Sequence, residues 1–324
     1  MQRQILAGPG CRRWLAGVFL LAVLAACGQT TTEDAVSEPA GAVVHLARQL
    51  ARGDLDAYAR DAVPPVQYEA LSQAWGEGDS LWPLTSLPLD EHLPRMLASL
   101  ADAEAEVRLG KAFDSQIAGQ SGSVRQAAHS LGLFGEQYVS HQGQFSDDQR
   151  HHYRQLVKAI SSWAATAPLS EKAPARAAIG TLATAVRGSG LDGADALRQI
   201  GMSGALNALA PVQQTTMTVL AGYGLDVRAA LEGLEAGLLS ASGDQARVHV
   251  VYPLAGQRIS FDADMVRIDG RWYMAQNLAD VEQILMQAQK ARQERQQENA
   301  GAMELAEGEA AGRPLTNEQM ATGP

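Results

Sequence analysis

Arg247-Val-His-Val-Val-Tyr-Pro-Leu-Ala-Gly-Gln-Arg-Ile-Ser-Phe-Asp-Ala-Asp-Met-Val-Arg-Ile-Asp-Gly-Arg-Trp-Tyr-Met274 is where the chain changes its rhythm. Val248, Val250 and Tyr252 alternate with other residues at the period of 2 that marks a half-buried strand. Pro253 to Gly256 turns the chain, and Ile259, Phe261, Ala263 and Met265 alternate along a second strand. Val266 and Ile268 fall on the opposite parity, so a β-bulge is expected near Met265-Val266 that returns both to the core. Asp269-Gly270 is a hairpin signal, because both residues tolerate positive φ. Arg271 to Ala275 then completes a three-stranded antiparallel meander, with Trp272 and Met274 sharing a face.

On either side of this segment the apolar period is 3.6. Upstream, Val43, Leu46, Ala47 and Leu50 stripe a first helix that Gly53-Asp54 ends, and a second short helix reaches Ala62 before Pro64-Pro65. Tyr68, Leu71 and Trp75 mark a third, and Gly76 to Leu89 reads as a loop. Asp90 reads as the cap of a helix carrying Leu93, Leu97, Leu100, Ala103 and Val107. A helix after Ser121-Gly122 is expected to bury Val124, Ala128, Leu131 and Tyr138. Ser146 and Gln149 form a capping box before the broad stripe Tyr153, Leu156, Val157, Ile160, Trp163 and Ala164. Further helices are expected over residues 170–187, 192–209, 211–221 and 226–241. After Leu278, Val281, Ile284, Leu285 and Ala288 define a last helix. The fold class expected is therefore α+β and mostly helical: a multi-helix body over residues 42–241, and a C-terminal three-stranded antiparallel meander plus helix over 242–297, packed on it. Residues 298–324, rich in Glu, Ala and Gly, are expected to be a disordered tail.

At the other end, Arg3, Arg12 and Arg13 precede an uncharged apolar run from Trp14 to Leu24, too short to span a bilayer, and then Leu24-Ala25-Ala26-Cys27. Charge, apolar run, small residues and cysteine in this order resemble the lipobox of bacterial lipoproteins. The resemblance implies cleavage between Ala26 and Cys27, acylation of Cys27 and a membrane contact through that lipid. Gly28 follows the cysteine where an Asp would imply retention at the inner membrane, so the implied location is the outer membrane, facing the periplasm. Residues 28–41 hold almost no large apolar side chain and read as a flexible tether.

Composition narrows the function classes. Cys11 lies in the expected signal segment, leaving only Cys27, so no intramolecular disulfide is expected. Aromatics at 5% are sparse and alanine is abundant, which suits closely packed helices. Removing Arg3, Arg12 and Arg13 from the 26 basic residues leaves 23 against 36 acidic ones, a formal net charge of −13. That sign repels phosphate backbones, so nucleic acid is not an expected partner.

Two stretches, Val43 to Pro65 and Met265 to Met274, resemble exported lipoproteins of the nuclear-transport-factor-like or cystatin-like fold, in which a helix packs into a curved antiparallel sheet. Between them, where that family supplies strands, this chain has a long helical pattern. The resemblance therefore implies the architecture of the C-terminal part alone.

Four sets of residues are candidates for chemistry. Asp147, Asp148, His151 and His152 form two Asp-His pairs at i,i+4, a spacing that can hold two metal ligands on one helix face, with His129 or His141 as the third ligand a site requires; a solvated first turn of a helix is the competing reading. Gly188-Ser189-Gly190-Leu191-Asp192-Gly193 matches the dinucleotide fingerprint in letters but follows an Ala-rich helix instead of a strand, so no cofactor is expected. The serines in Gly119-Gln-Ser-Gly-Ser123 and Gly201-Met-Ser-Gly-Ala205 lack the strand and the final glycine of a nucleophile elbow. Trp75 and Trp82, with Pro83 and Pro88, form an aromatic, proline-rich region that reads either as a partner surface or as a loop tucked over the core. The expected role is that of a lipid-anchored, non-enzymatic envelope protein, a binding or structural module that takes an envelope protein or a small ligand; a hydrolase acting on cell-wall or glycan material is the alternative.

Overall fold

A computed structural model describes residues 37–84, 92–141 and 145–311. The elements run in the order α1 (Pro39–Arg52), α2 (Leu55–Ala62), α3 (Pro65–Glu77), α4 (Leu93–Ala101), α5 (Ala105–Gln116), α6 (Ser121–His141), α7 (Asp147–Thr166), α8 (Lys172–Ser189), α9 (Ala194–Gln199), α10 (Gly201–Gly222) and α11 (Val227–Glu232). There follow β1 (Glu235–Ser242), β2 (Gln245–Leu254), β3 (Gln257–Ile268), β4 (Arg271–Met274) and α12 (Ala275–Ala311). The fold is α+β and mostly helical, with an antiparallel meander followed by a helix.

Capping residues set many of the helix ends. The Asp54 and Asp226 carboxylates accept from the N–H groups of Ala57 and Ala229, and Ser146 and Gln149 form the expected reciprocal box. Gly53 and Gly190 end α1 and α8 in the left-handed conformation that a Cβ would strain. α1 starts at Pro39, so the last residues of the expected tether are helical, with Pro in the first turn where its missing N–H is tolerated. The helix expected from Leu93 to Val107 is two, broken at Asp102, whose carboxylate accepts from the N–H of Glu104. α10 passes through Pro211 without a break, joining what read as separate helices.

The sheet is a four-stranded meander, in the order β1-β2-β3-β4. The expected helix over residues 226–241 ends at Glu232, and Glu235–Ser242 is instead an edge strand paired with β2. The β2–β3 and β3–β4 hairpins turn through Ala255-Gly256 and Asp269-Gly270, all at positive φ, the type I′ geometry whose twist matches the strands. The bulge expected at Met265-Val266 does not exist: β3 stays in register with β2 through Val266. Val266 faces the opposite side of the sheet, where it pairs with Tyr273, and Tyr273 is itself buried, so this end of the sheet is covered on both faces. The sheet's register shift lies in β1, between Leu238 and Ser240.

One face of the sheet, formed by Val248, Val250, Ala263, Met265 and Trp272, packs on Ala42 and Val43 of α1. The larger core gathers α2, α3, α4, α8, α9, α10 and α12 around Leu71, Trp75, Leu97, Val186 and Leu206. A third cluster seats Ala159 of α7 on Leu254 and Ile259 of the β2–β3 hairpin. The last helix runs past the expected limit at Gln297 to Ala311. Its composition is rich in good helix formers, and Arg292 and Arg295 tie it to Glu77 and Asp79 at the end of α3.

Candidate functional site

Ala26, Cys27 and Asp90 lie outside the described residues, so the anchor remains a sequence-based reading. The chain enters the fold at α1, which packs against β1 and β2.

Trp75 and Trp82 are not a surface. They are 0% and 3% exposed, and the indole N–H of Trp75 donates to the carbonyl of Leu197 at 2.9 Å. In a chain this poor in aromatics, the large rings are used to fill the junction of α3 with α9 and α10, and the partner-surface reading is corrected to a core role.

The Asp-His pairs of α7 separate by helix face. Asp148 reaches Arg247 of β2 at 2.5 Å, and Arg247 also approaches Asp262 and Asp264 on the polar face of the sheet. His152 turns inward: its ring stacks on Phe261 at 4.5 Å between centroids, and its Nε2 shares a 2.8 Å hydrogen bond with the Tyr252 hydroxyl. Burial, helped by the neighbouring His151, lowers the His152 pKa to about 4, while burial pushes the Tyr252 phenol up to about 12. Both rings are therefore neutral at pH 7. Asp147 and His151 are exposed. Among the described residues no group of three or more His, Cys, Asp or Glu side chains is placed to hold a metal ion. The glycine fingerprint runs from the end of α8 through the connector that precedes α9, with no strand before it.

A second polar cluster was not visible in the sequence. Asp61 of α2 accepts from His45 at 2.9 Å and Gln49 at 2.6 Å, both on α1, and from Arg271 of β4 at 2.7 Å. Burial alone would raise this carboxyl, but the bonds from His45, Arg271 and Gln49 outweigh it and hold its pKa below the usual value. Its parts come from positions up to 210 residues apart, a juxtaposition only the tertiary fold creates. Both carboxylate oxygens of Asp61 are engaged, Oδ2 by His45 and Gln49 and Oδ1 by Arg271, which makes it a pin between α1, α2 and β4.

The least expected surface is α6. Its buried side is small: Ala128, Gly132 and Val139 face α7. A Cβ added to Gly132 would lie 2.7 Å from Ser161, and one on Gly135 would lie 3.0 Å from Val157, so the two helices approach as closely as glycine allows. That choice rotates the large residues outward. Leu131 and Phe134 are 68% and 67% exposed, Leu133 and Tyr138 are also exposed, and the expectation that Leu131 and Tyr138 are buried is corrected. Val124, Ala127, Leu131, Phe134 and Tyr138 recur at alternating spacings of 3 and 4, the a/d rhythm of a helix seam, with no charged residue among them. The signal in the sequence was a second seam at the same spacing, Ala128-Gly132-Gly135-Val139, made of smaller residues. From this outer face an aromatic chain leads inward, from Phe134 through Tyr138, Phe145, Tyr153 and His152 to Phe261 on the sheet.

The main concavities are open grooves. One of about 820 Å³ lies over α8, lined by Glu106, Arg176, Gly180, Thr184 and Pro211, and one of about 650 Å³ lies where the start of α6 meets the end of α7, the connecting loop and the start of α8. In the larger, the Thr181 and Thr184 hydroxyls donate to carbonyls of their own helix. No helix among the described residues is long and apolar enough to cross a membrane. No protein-family model, curated protein or solved structure matches the chain.

Proposed function

We propose that this chain is an envelope lipoprotein, held at the outer membrane by acyl groups on Cys27 and facing the periplasm, that works by binding another envelope protein through the outer face of α6. The observation that carries the binding role is the uncharged, heptad-spaced stripe centred on Leu131 and Phe134, which stands in water. Contiguous apolar residues at a/d spacing match the seam of a second helix, so the partner is an envelope protein that presents an apolar helical face. The lipobox-like segment supports the location, and the tethered geometry supports a docking role, because an anchored binder meets its partner at a high local concentration.

The test is photocrosslinking in intact cells from a reactive residue placed at Phe134, compared with one at exposed Lys111 on α5, followed by membrane fractionation of the Cys27→Ala form. The reading expects a discrete protein adduct from position 134 alone, and loss of the chain from the membrane fraction on Cys27→Ala. Equal labelling from both positions would refute the α6 surface, and retention of Cys27→Ala in the membrane would refute the anchor.

A further inference from the structure

The two edges of the sheet are treated differently. Beyond the short β4, the free edge of β3 is closed by Gln155 of α7, whose amide donates to the carbonyl of Ser260 at 2.8 Å and accepts from its N–H at 3.0 Å. This one side chain imitates a neighbouring strand. The outer edge of β1 is paired to no strand among the described residues, and seven of its eight residues are exposed. It carries Leu238 and Leu239, 53% and 54% exposed, at the register shift.

The position of these leucines relative to the chain's entry point gives them a meaning. Leu238 lies opposite Val248, one strand spacing of about 4.8 Å away. Val248 packs in one cluster with Ala42 and Val43 from the first turns of α1, and Ala40 joins that cluster beside Leu234 and Ala236. The exposed apolar edge therefore borders the place where the N-terminal segment joins the fold. Cys27 and Pro39 are twelve positions apart, which at about 3.5 Å per residue limits the distance from the lipid to the start of α1 to roughly 40 Å. Charge does not oppose an approach to lipid here. Ala236 to Ala241 carry no charge, and the acids at the two ends of the strand are matched, Glu235 with Arg258 at 3.9 Å and Asp244 with Arg267 at 2.8 Å.

Resting on the reading that Cys27 is acylated, we propose that the β1 edge around Leu238 and Leu239 is a membrane-facing surface, whose leucines enter the headgroup–acyl boundary of the same bilayer that holds the anchor. Two leucines bind a free protein to lipid only weakly. Here the acyl chains have already supplied the loss of translational freedom, so the second contact forms within a tethered molecule and serves to orient it. The consequence is a body laid down on its β1 edge.

Single labelling sites make this testable, because the mature chain's only native cysteine is expected to be blocked by lipid. The full acylated chain carrying Leu238→Cys, Leu131→Cys or Lys111→Cys is labelled with an environment-sensitive fluorophore. It is then reconstituted into vesicles of phosphatidylethanolamine and phosphatidylglycerol, with or without lipids spin-labelled just below the headgroup. Cys27 acylation is verified by mass in each sample. The proposal expects a blue shift and loss of emission from position 238, and neither from 131 or 111. An acylated sample in which 238 stays unshifted and unquenched, or in which 131 is quenched instead, overturns the membrane-facing edge and leaves the anchor intact. A sample that stays with the vesicles without acyl mass on Cys27 overturns both. Leu239→Cys repeats the measurement at the adjoining exposed leucine and is expected to give the same result.

Discussion

Replacing Asp61 by Ala removes the acceptor of three side-chain hydrogen bonds and leaves His45, Gln49 and Arg271 pointing at an empty position. A bond to a charged group contributes about 1.5–3 kcal/mol when buried, and orphaning a buried partner adds a desolvation cost. The side chains of Asp61 and His45 are 18% and 15% exposed but that of Arg271 is 37%, so the Arg271 bond is screened and counts near the bottom of that range. The expected net loss is about 3 kcal/mol, or a fall in Tm of roughly 6–12 °C for a domain of this size. Urea and thermal unfolding followed by circular dichroism measure it, and a cycle with Arg271→Ala isolates that pair, with an expected coupling of about 1 kcal/mol. The pH dependence gives an independent check. Because the carboxyl's pKa is lower folded than unfolded, its contribution is complete above the unfolded value of about 3.9 and is lost as pH falls through the folded value. Asp61→Asn should therefore weaken the protein at neutral pH and flatten part of its acid-induced loss below about pH 4. A cost below about 1 kcal/mol for Asp61→Ala, with an acid limb parallel to the wild type, would refute the account of Asp61 as the pin between α1, α2 and β4.

Other perturbations probe separate elements. Trp75→Ala should cost about 3–5 kcal/mol in urea unfolding, because it empties the centre of the main core and orphans the Leu197 carbonyl. Gly132→Ala gains helix propensity of up to about 1 kcal/mol but places a Cβ 2.7 Å from Ser161, so a net loss of about 1–3 kcal/mol is expected, checked by unfolding alongside an exposed control, Gly122→Ala, that is neutral or stabilising. Gln155→Leu should leave global stability within about 2 kcal/mol of wild type but speed hydrogen exchange at the Ser260 amide, the N–H it caps. His152 has a folded pKa below its unfolded value of about 6.5, so it contributes fully above that pH and its contribution falls as pH drops toward 4; His152→Phe, which keeps the ring, should remove that decline in denaturation midpoints measured between pH 7 and 4.5.

Periodicity made most of the architecture legible. The type I′ turn at Asp269-Gly270, the capping box at Ser146 and the stripes of α1, α3 and α7 are local, so the sequence carries them. β1 escaped because Leu231, Leu234, Leu238 and Ala241 stand at helical spacing, and only pairing with β2 decides the conformation of Glu235–Ser242. The outward face of α6 escaped for a different reason. Two seams share one helix, and close packing through Gly132 and Gly135 selects the smaller, a choice that depends on the shape of α7. Trp82 lay in a stretch whose Gly and Pro content reads as loop, and the burial of Trp75 depends on α9, more than a hundred residues away in sequence. The Asp61 cluster needs β4 brought back onto α2, so no window of the sequence contains it.

The sealed flank of β3 also limits how copies of this chain can join through their sheets. Strand-to-strand stacking propagates only when every added molecule offers a fresh open border on its far side. With Gln155 engaging Ser260 beyond β4, a pair meeting through their β1 strands leaves only the four-residue edge of β4 open on its far side, which works against growth beyond two. The exposed, nearly uncharged β1 edge thus has little open strand on the far side of its own sheet to carry pairing onward.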